Sequence, residues 1–463
     1  MVGRSTVGGA ILMLGTLGCY SILSIVTFHY TYLPNAQDDY MLATPNDSNI
    51  DISNIPLTSY RERSQVKIRS YFQNFYALLH HLSKNEVAAK QDIQTEDTSS
   101  YSSFFEVSEY TFPSVQERLE YYMGDWYNTT EWNVPDCNLV KEQDDYNKVA
   151  DQDVLLTSNV IKECMESGSK LGITYCVDAY SFINTTEVAR RNDAHWLVRF
   201  GFQDRLTKLG NQLPVISKAR PSIVSHYPQP IIWLLNKNRH YDELHLYHQN
   251  ILEKEMEIPW SVKLPKVFWR GSTTGNRAND AGNRLAYLTQ WVHHNSDQTD
   301  IAFNNVVQMR SNFKHKYIER HYSRKVIGGP EGRESLINMS RYKYLLSVEG
   351  NDVATGLKWM LYSNSVVFMS RPTVATWAME DLLVPFVHYI PLASDYSNLL
   401  EMVKWAEDHD EACKEISKRA TEFIEHLWTS EQAKEDTKYL QKELATAYVN
   451  QFDSALSQCT VAF

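Results

Sequence analysis

The sequence predicts an α/β protein whose second half is a doubly wound sheet. Three observations lead there. From about residue 259, strand-like apolar runs alternate with segments of helical periodicity, the order that parallel strands joined by helical crossovers require. Two of those runs end in glycine beside polar or charged side chains, "WRGS" at 269–272 and "VEGNDVATG" at 348–356, and ligands of such sheets gather beyond the carboxyl ends of the strands. Finally, 463 residues are too many for one ordinary domain and suit two domains with extensions.

The elements follow in chain order. Gly8 to Phe28 holds 21 residues without a side chain charged at neutral pH, enough to cross about 30 Å of hydrocarbon as a helix. Arg4 precedes it and Asp38 and Asp39 follow, so the charge bias favours a cytosolic tip and a lumenal body. A cleaved signal peptide is the competing reading, but the run is long for one, and an uncleaved anchor over 1–28 is preferred. Residues 29–105 are polar and read as a stem containing one helix near 66–84.

The first compact region spans 106–258. It contains "HWLVRF", a strand ending at Gly201, and "PIIWLLNKNRHYDELHLYH", which reads as strand, turn and helix. In the second, 259–430, "KVFWRG", "YKYLLSVEG", "SVVFM" and "FVHYIPL" read as strands, while "DVATGLKWMLYSN" and the stretch 401–428 read as helices. A helical segment over 431–463 closes the sequence.

Composition narrows the function. The net charge of −11 disfavours a nucleic-acid partner, which needs a broad positive surface. Cys137, Cys164, Cys176, Cys413 and Cys459 lie beyond the anchor, leaving one unpaired if disulfides form in an oxidising lumen. Sequons at Asn46, Asn128, Asn184 and Asn338 could accept glycans there. His240, His245 and His248 cluster without a convincing carboxylate partner, so they read as a helix surface and no metal site is expected. Trp359, Trp377 and Trp405 read as core.

The two glycine-containing strand ends carry the chemistry. In the second, Gly350 permits a tight turn, Asp352 is placed to cap a helix running to Ser363, and the amides of Val353 to Thr355 would point at an anion. In the first, Arg270, Ser272, Thr273, Thr274 and Arg277 form a loop whose guanidinium forks suit a diphosphate. Neither GxxxxGK[ST] nor GxGxxG after a strand is present, which removes support from NTP hydrolysis and dinucleotide redox chemistry.

These residues resemble glycosyltransferase family 90, which includes protein O-glucosyltransferases, capsule-associated xylosyltransferases and lipopolysaccharide-modifying relatives. "FWRGS", "YKYLLSVEGNDVATGLKW", "SVVFM" and "FVHYIPL" followed by "DYSNLLEMVKW" occur in the family's order. The resemblance implies a GT-B-like fold of two facing Rossmann-like domains, a UDP-sugar held mainly by the second, an acceptor entering between them, and inversion without a cofactor or catalytic metal. Donor contacts then map to Arg270, Gly271, Ser272, Thr274, Arg277, Glu349, Gly350, Asn351, Asp352, Ala354, Thr355 and Lys358. Gly356 stands where animal members carry a further arginine, which leaves the donor's identity open. The family's base, an aspartate after the "V-R" strand, aligns with Gly201 or Phe202, and Asp204 is the nearest carboxylate. Asp352 is a weaker rival for that role, and Arg239, His240 and Asp242 could face the sugar or acceptor.

The expected function is transfer of glucose or xylose from a UDP-sugar to a hydroxyl of a protein or glycan. The enzyme would be a single-pass type II protein of the Golgi or endoplasmic reticulum membrane with its catalytic region lumenal. Two rivals stand beside it: an inactive sugar-nucleotide-fold binding protein or glycan-assembly chaperone, and a glycoside hydrolase, for which no pair of opposed carboxylates is evident.

Overall fold

The computed structural model describes residues 110–127, 153–157, 180–182, 197–201, 214–222, 229–234, 244, 247–252, 257–275, 297–308, 312–323 and 333–460. The anchor, the stem, Asn46, Asn128 and Asn184 lie outside them. Among the described residues no helix is long and apolar enough to cross a membrane.

Helix α1, Val115–Met123, opens on a reciprocal cap: Ser114 Oγ accepts from the Glu117 amide while Glu117 accepts from the Ser114 amide. Strands β1 (Asp153–Thr157), β2 (Leu197–Gly201), β3 (Ile216–Ser217) and β5 (Ile231–Ile232) form one sheet in the order β1-β2-β3-β5. Its β1 edge is antiparallel and the rest is parallel. Between β3 and β5 the chain leaves this sheet as β4 (Ala219–Pro221), which pairs antiparallel with β10 (Val374–Thr376) of the other half.

The second sheet carries the expected architecture. Strands β6 (Leu264–Ser272), β7 (Thr299–Asn305), β8 (Tyr342–Ser347), β9 (Val366–Ser370) and β11 (Ile390–Leu392) are all parallel, in the order β7-β6-β8-β9-β11. Helices α2 (Asn312–Tyr322) and α3 (Arg333–Met339) connect β7 to β8, and α4 (Leu357–Tyr362) connects β8 to β9. Beyond β11 come α5 (Leu399–Asp408), α6 (Asp410–Ile424) and α7 (Glu431–Thr460).

Side chains alternate between the two faces of this sheet, as a strand's period of two dictates. Val267, Trp269, Tyr344, Leu346, Val366 and Phe368 pack against Met402, Val403 and Ile416 from α5 and α6. Phe268, Leu345, Val367 and Met369 share the opposite core with Trp359 of α4 and with Ile216, Ile231 and Trp233 of the first sheet. Trp359 and Trp377 are buried there as expected, while Trp405 is half-buried and stacks on His409, with ring centroids 4.6 Å apart.

Helix α7 returns to the first sheet. Arg118 of α1 pairs with Asp436 at 3.2 Å, Gln441 donates to the Leu234 carbonyl at 3.0 Å, and Tyr448 meets the Phe182 ring edge-on at 5.1 Å.

Two helical expectations are corrected. The stretch 401–428 is two helices broken at His409, whose backbone leaves the helical region (φ −130°, ψ 49°), followed by a π turn over Glu425–Thr429. The helix after β8 starts at Leu357 rather than beside Asp352, and no side chain caps it. Among the described residues Cys413 is a free, buried cysteine, its thiol pushed up to about 12 by burial.

Lys263 opens β6 and is buried, donating to the Ser340 carbonyl and Ser365 Oγ at 2.7 Å each. Burial lowers its pKa to about 7. The unfolded chain therefore holds this proton more tightly than the folded one, and stability should rise as pH climbs from about 7 towards the ordinary lysine value. Below about pH 7 both states are protonated and the cost of the buried charge is fully present. Denaturant midpoints taken across that window should show a smaller upward slope in Lys263→Met than in the parent. Equal slopes would contradict the assignment.

Candidate functional site

Counting from β6, the second sheet reads 2-1-3-4-5. The chain runs outward from β6 to β7 on one side and continues through β8 on the other, so the topological switch point lies between β6 and β8. In an open parallel sheet the crevice beyond the carboxyl ends of those two strands takes the ligand. The segments that open from them are 271–275 and 348–356, the two stretches singled out in the sequence.

The structure brings these segments together. The Gly275 amide donates to Asn351 Oδ1 at 3.2 Å. Gly275 has φ +145°, a conformation L side chains rarely adopt, and a Cβ on Gly271 would clash with the Trp269 ring. Thr273 fixes the first segment to the strand beside it, since its Oγ1 donates to the Val307 carbonyl at 2.7 Å and accepts from the Val307 amide at 2.8 Å. Ser272, the last residue of β6, and Thr274, just beyond it, are half-buried.

Arg270 is turned elsewhere. Its guanidinium lies over the Phe268 ring, 4.5 Å from the centroid. Nη2 meets Asp300 Oδ1 at 2.7 Å, and Nη1 donates to the Trp269 and Asp300 carbonyls at 2.8 Å. Asp300 sits opposite Phe268 in the β6–β7 register, so the side chain points back along its strand, away from the crevice. Tyr342 Oη donates to the other oxygen of Asp300 at 2.8 Å, and burial together with that carboxylate pushes the phenol up to about 12. One carboxylate thereby joins β6, β7 and β8. Local sequence gave no sign of Asp300.

The second segment is held by its own polar side chains. Asp352 does not cap a helix; it pairs with Lys218, from the bend between β3 and β4, at 2.7 Å. Glu349 accepts from the Thr373 amide at 2.7 Å and from the Thr373 hydroxyl. Burial raises its pKa above the usual carboxylate range, and the Thr373 donors oppose that rise. Gly350 donates to the Asp352 carbonyl at 2.9 Å. Ala354 is buried and Thr355 exposed.

Lys358 lies beneath, fully buried, 3.2 Å from Glu380 and near the Trp377 ring. A small pocket at the carboxyl ends of β8 and β9 is lined by Ser347, Glu349, Leu357, Met369, Ser370 and Glu380, among others.

Asp204, Arg239, His240, Asp242 and Arg277 lie outside the described residues. Asn338 is half-buried in α3, and the Ser340 hydroxyl of its sequon is buried against the Leu336 carbonyl. His248 Nδ1 lies 3.0 Å from the Tyr362 hydroxyl. Among the described residues no cluster of His, Cys, Asp and Glu is arranged to hold a metal.

Comparison with known proteins places similarity over this sheet. Residues 227–452 match the family model "Glycosyl transferase family 90". A stretch of 228 residues is 30% identical to O-glucosyltransferase LpsA of Dichelobacter nodosus, covering 47% of this chain and 60% of that protein. Another of 165 residues is 33% identical to protein O-glucosyltransferase 2 of Danio rerio, covering 35% of this chain and 29% of that protein. Protein O-glucosyltransferase 1 of Homo sapiens is 23% identical over 180 residues, 39% of this chain and 41% of that protein. The matches span less than two thirds of each relative.

Proposed function

We propose, from the match of residues 227–452 to the glycosyltransferase family 90 model, that the protein is an inverting glycosyltransferase. It moves glucose or xylose from a UDP-sugar to a hydroxyl of a protein or glycan acceptor, without a catalytic metal. The observation that carries the reading is the junction of the 271–275 and 348–356 segments, joined through Gly275 and Asn351, at the switch point of the parallel sheet. The matched relatives named as O-glucosyltransferases support the same choice.

In this reading the donor's diphosphate lies against the amides and hydroxyls of these segments, with Arg277 at the end of the first. Arg270 shapes the site from behind by anchoring β6. The acceptor hydroxyl gives its proton to Asp204 as its oxygen bonds to the anomeric carbon from the face opposite the leaving group. The bond from that carbon to the diphosphate oxygen breaks, and the electron pair departs with UDP. Arg239, His240 and Asp242 flank the sugar or acceptor. The Gly8–Phe28 anchor holds the enzyme in the membrane of the Golgi or endoplasmic reticulum with this site in the lumen.

A nucleotide-sugar screen tests the proposal. UDP-glucose or UDP-xylose should be turned over, and UDP should raise the melting temperature, because a ligand that binds only the folded state stabilises it. Asp204→Asn should lower kcat by about a hundredfold while that shift survives. Stabilisation by UDP without turnover on a broad acceptor panel would favour the binding-protein reading. No response to any nucleotide would overturn both.

A further inference from the structure

The side chain of Lys218 occupies an unusual place. It sits in the bend between β3 and β4, where the chain passes from the first sheet to the ladder with β10, and its side chain is 3% exposed. A buried ammonium is retained only when paired, and its partner is Asp352 at 2.7 Å, on the segment that leaves β8. Around the pair, Ala219, Val353 and Val374 form a small apolar cluster drawn from three separate parts of the chain. Further bonds close the junction: the Ser222 amide donates to the Thr373 carbonyl at 2.9 Å, and Glu349 accepts from the Thr373 and Val374 amides. On the opposite side, Asn351 receives the Gly275 amide. The segment is too irregular to hold itself, since helix α4 begins only at Leu357.

We infer that Lys218 is a positioning residue for the donor segment. Acting through Asp352, it sets where residues 350–355 lie against Gly275, and so how well the crevice fits a nucleoside diphosphate. This rests on the reading of the crevice as the donor site. Lys218 lies in the bend after β3 and belongs to neither of the strand-end motifs, so the first half of the chain contributes to donor affinity at a distance from the ligand. Being a charge on a structural seam, it acts on binding before it acts on bond breaking.

The test compares the parent with Lys218→Met, Lys218→Arg, Asp352→Asn and the Lys218→Met/Asp352→Asn double variant, in turnover of the UDP-sugar found by the screen and in affinity for UDP. Lys218→Met should raise the donor KM and the UDP Kd by about tenfold, with a smaller fall in kcat. Lys218→Arg, which keeps the charge, should restore most of the affinity. In the Asp352→Asn background the lysine change should add less than about twofold, because residues that act as one pair are not additive. Multiplying losses, an unchanged KM, or a fall confined to kcat would overturn the inference. If Lys218→Met does not fold, the exposed-side variant Asp352→Asn must show the KM effect alone. If the parent binds no nucleotide, the functional reading fails separately, and amide hydrogen exchange decides the clamp. Faster exchange at residues 350–355 and Gly275 in either variant, with the β6 and β8 strand amides unchanged, supports it; unchanged exchange at those residues overturns it.

Discussion

Replacing Arg270 by alanine should cost about 3 kcal/mol of stability and, in the proposed reading of the crevice as the donor site, weaken UDP binding. The Arg270 side chain is 8% exposed and that of Asp300 22%, so removal takes the cation from a carboxylate that has little water to replace it and keeps the Tyr342 hydroxyl. It also deletes the bonds to the Trp269 and Asp300 carbonyls and the cover over Phe268. The loop that carries Ser272 and Gly275 hangs from the end of this strand, so a loosened anchor reaches the crevice. Denaturant midpoints and UDP titration measure the two effects. Asp300→Ala separates anchoring from direct contact: if Arg270 acts through Asp300, both variants weaken UDP binding to a similar degree. A much larger loss in Arg270→Ala would mean that the guanidinium swings round to the diphosphate. A variant with parental midpoint and affinity would refute the anchor altogether.

The second large effect is expected at Glu380. Its carboxylate and Lys358 are each 2% exposed and 3.2 Å apart, and the same carboxylate accepts from the Thr376 amide and hydroxyl at 2.7 Å. Glu380→Ala leaves an ammonium in the core beside Trp377 with nothing to balance it, a change that typically costs about 3–5 kcal/mol. Lys358→Met/Glu380→Leu should recover part of that loss, because it removes both charges together. The double variant still leaves the Thr376 amide without its acceptor, so recovery stays incomplete. Chemical denaturation of the three proteins checks the order. A single variant within about 1 kcal/mol of the parent would show that water reaches the lysine.

Much of the second sheet was legible because β6, β8, β9 and β11 are covered on both faces and read as short apolar runs. Strand β7 was not. It lies at one edge of the sheet, as β11 does at the other, but its "TDIAFNN" mixes polar side chains into the run as an edge position allows. The three-residue ladder of β4 and β10 is too short for any periodicity to show. Asp352 fits the local pattern of a helix cap, yet its partner is Lys218, in the bend that follows β3 of the other sheet. Arg270 looks like a ligand-binding arginine for the same reason: its counter-ion, Asp300, lies thirty positions away on a strand the pattern did not reveal. Local sequence located both segments of the site, and pairing across the sheet decided which of their charges remain available to a ligand.

The β4–β10 ladder bears on traffic through the crevice. Ala219–Pro221 and Val374–Thr376 are stitched backbone to backbone, and the Ser222–Thr373 bond extends the seam. Rocking one sheet away from the other would strain these main-chain bonds. In the proposed reading, admission of substrate and escape of product use individual segments at the mouth of the crevice rather than separation of the two sheets.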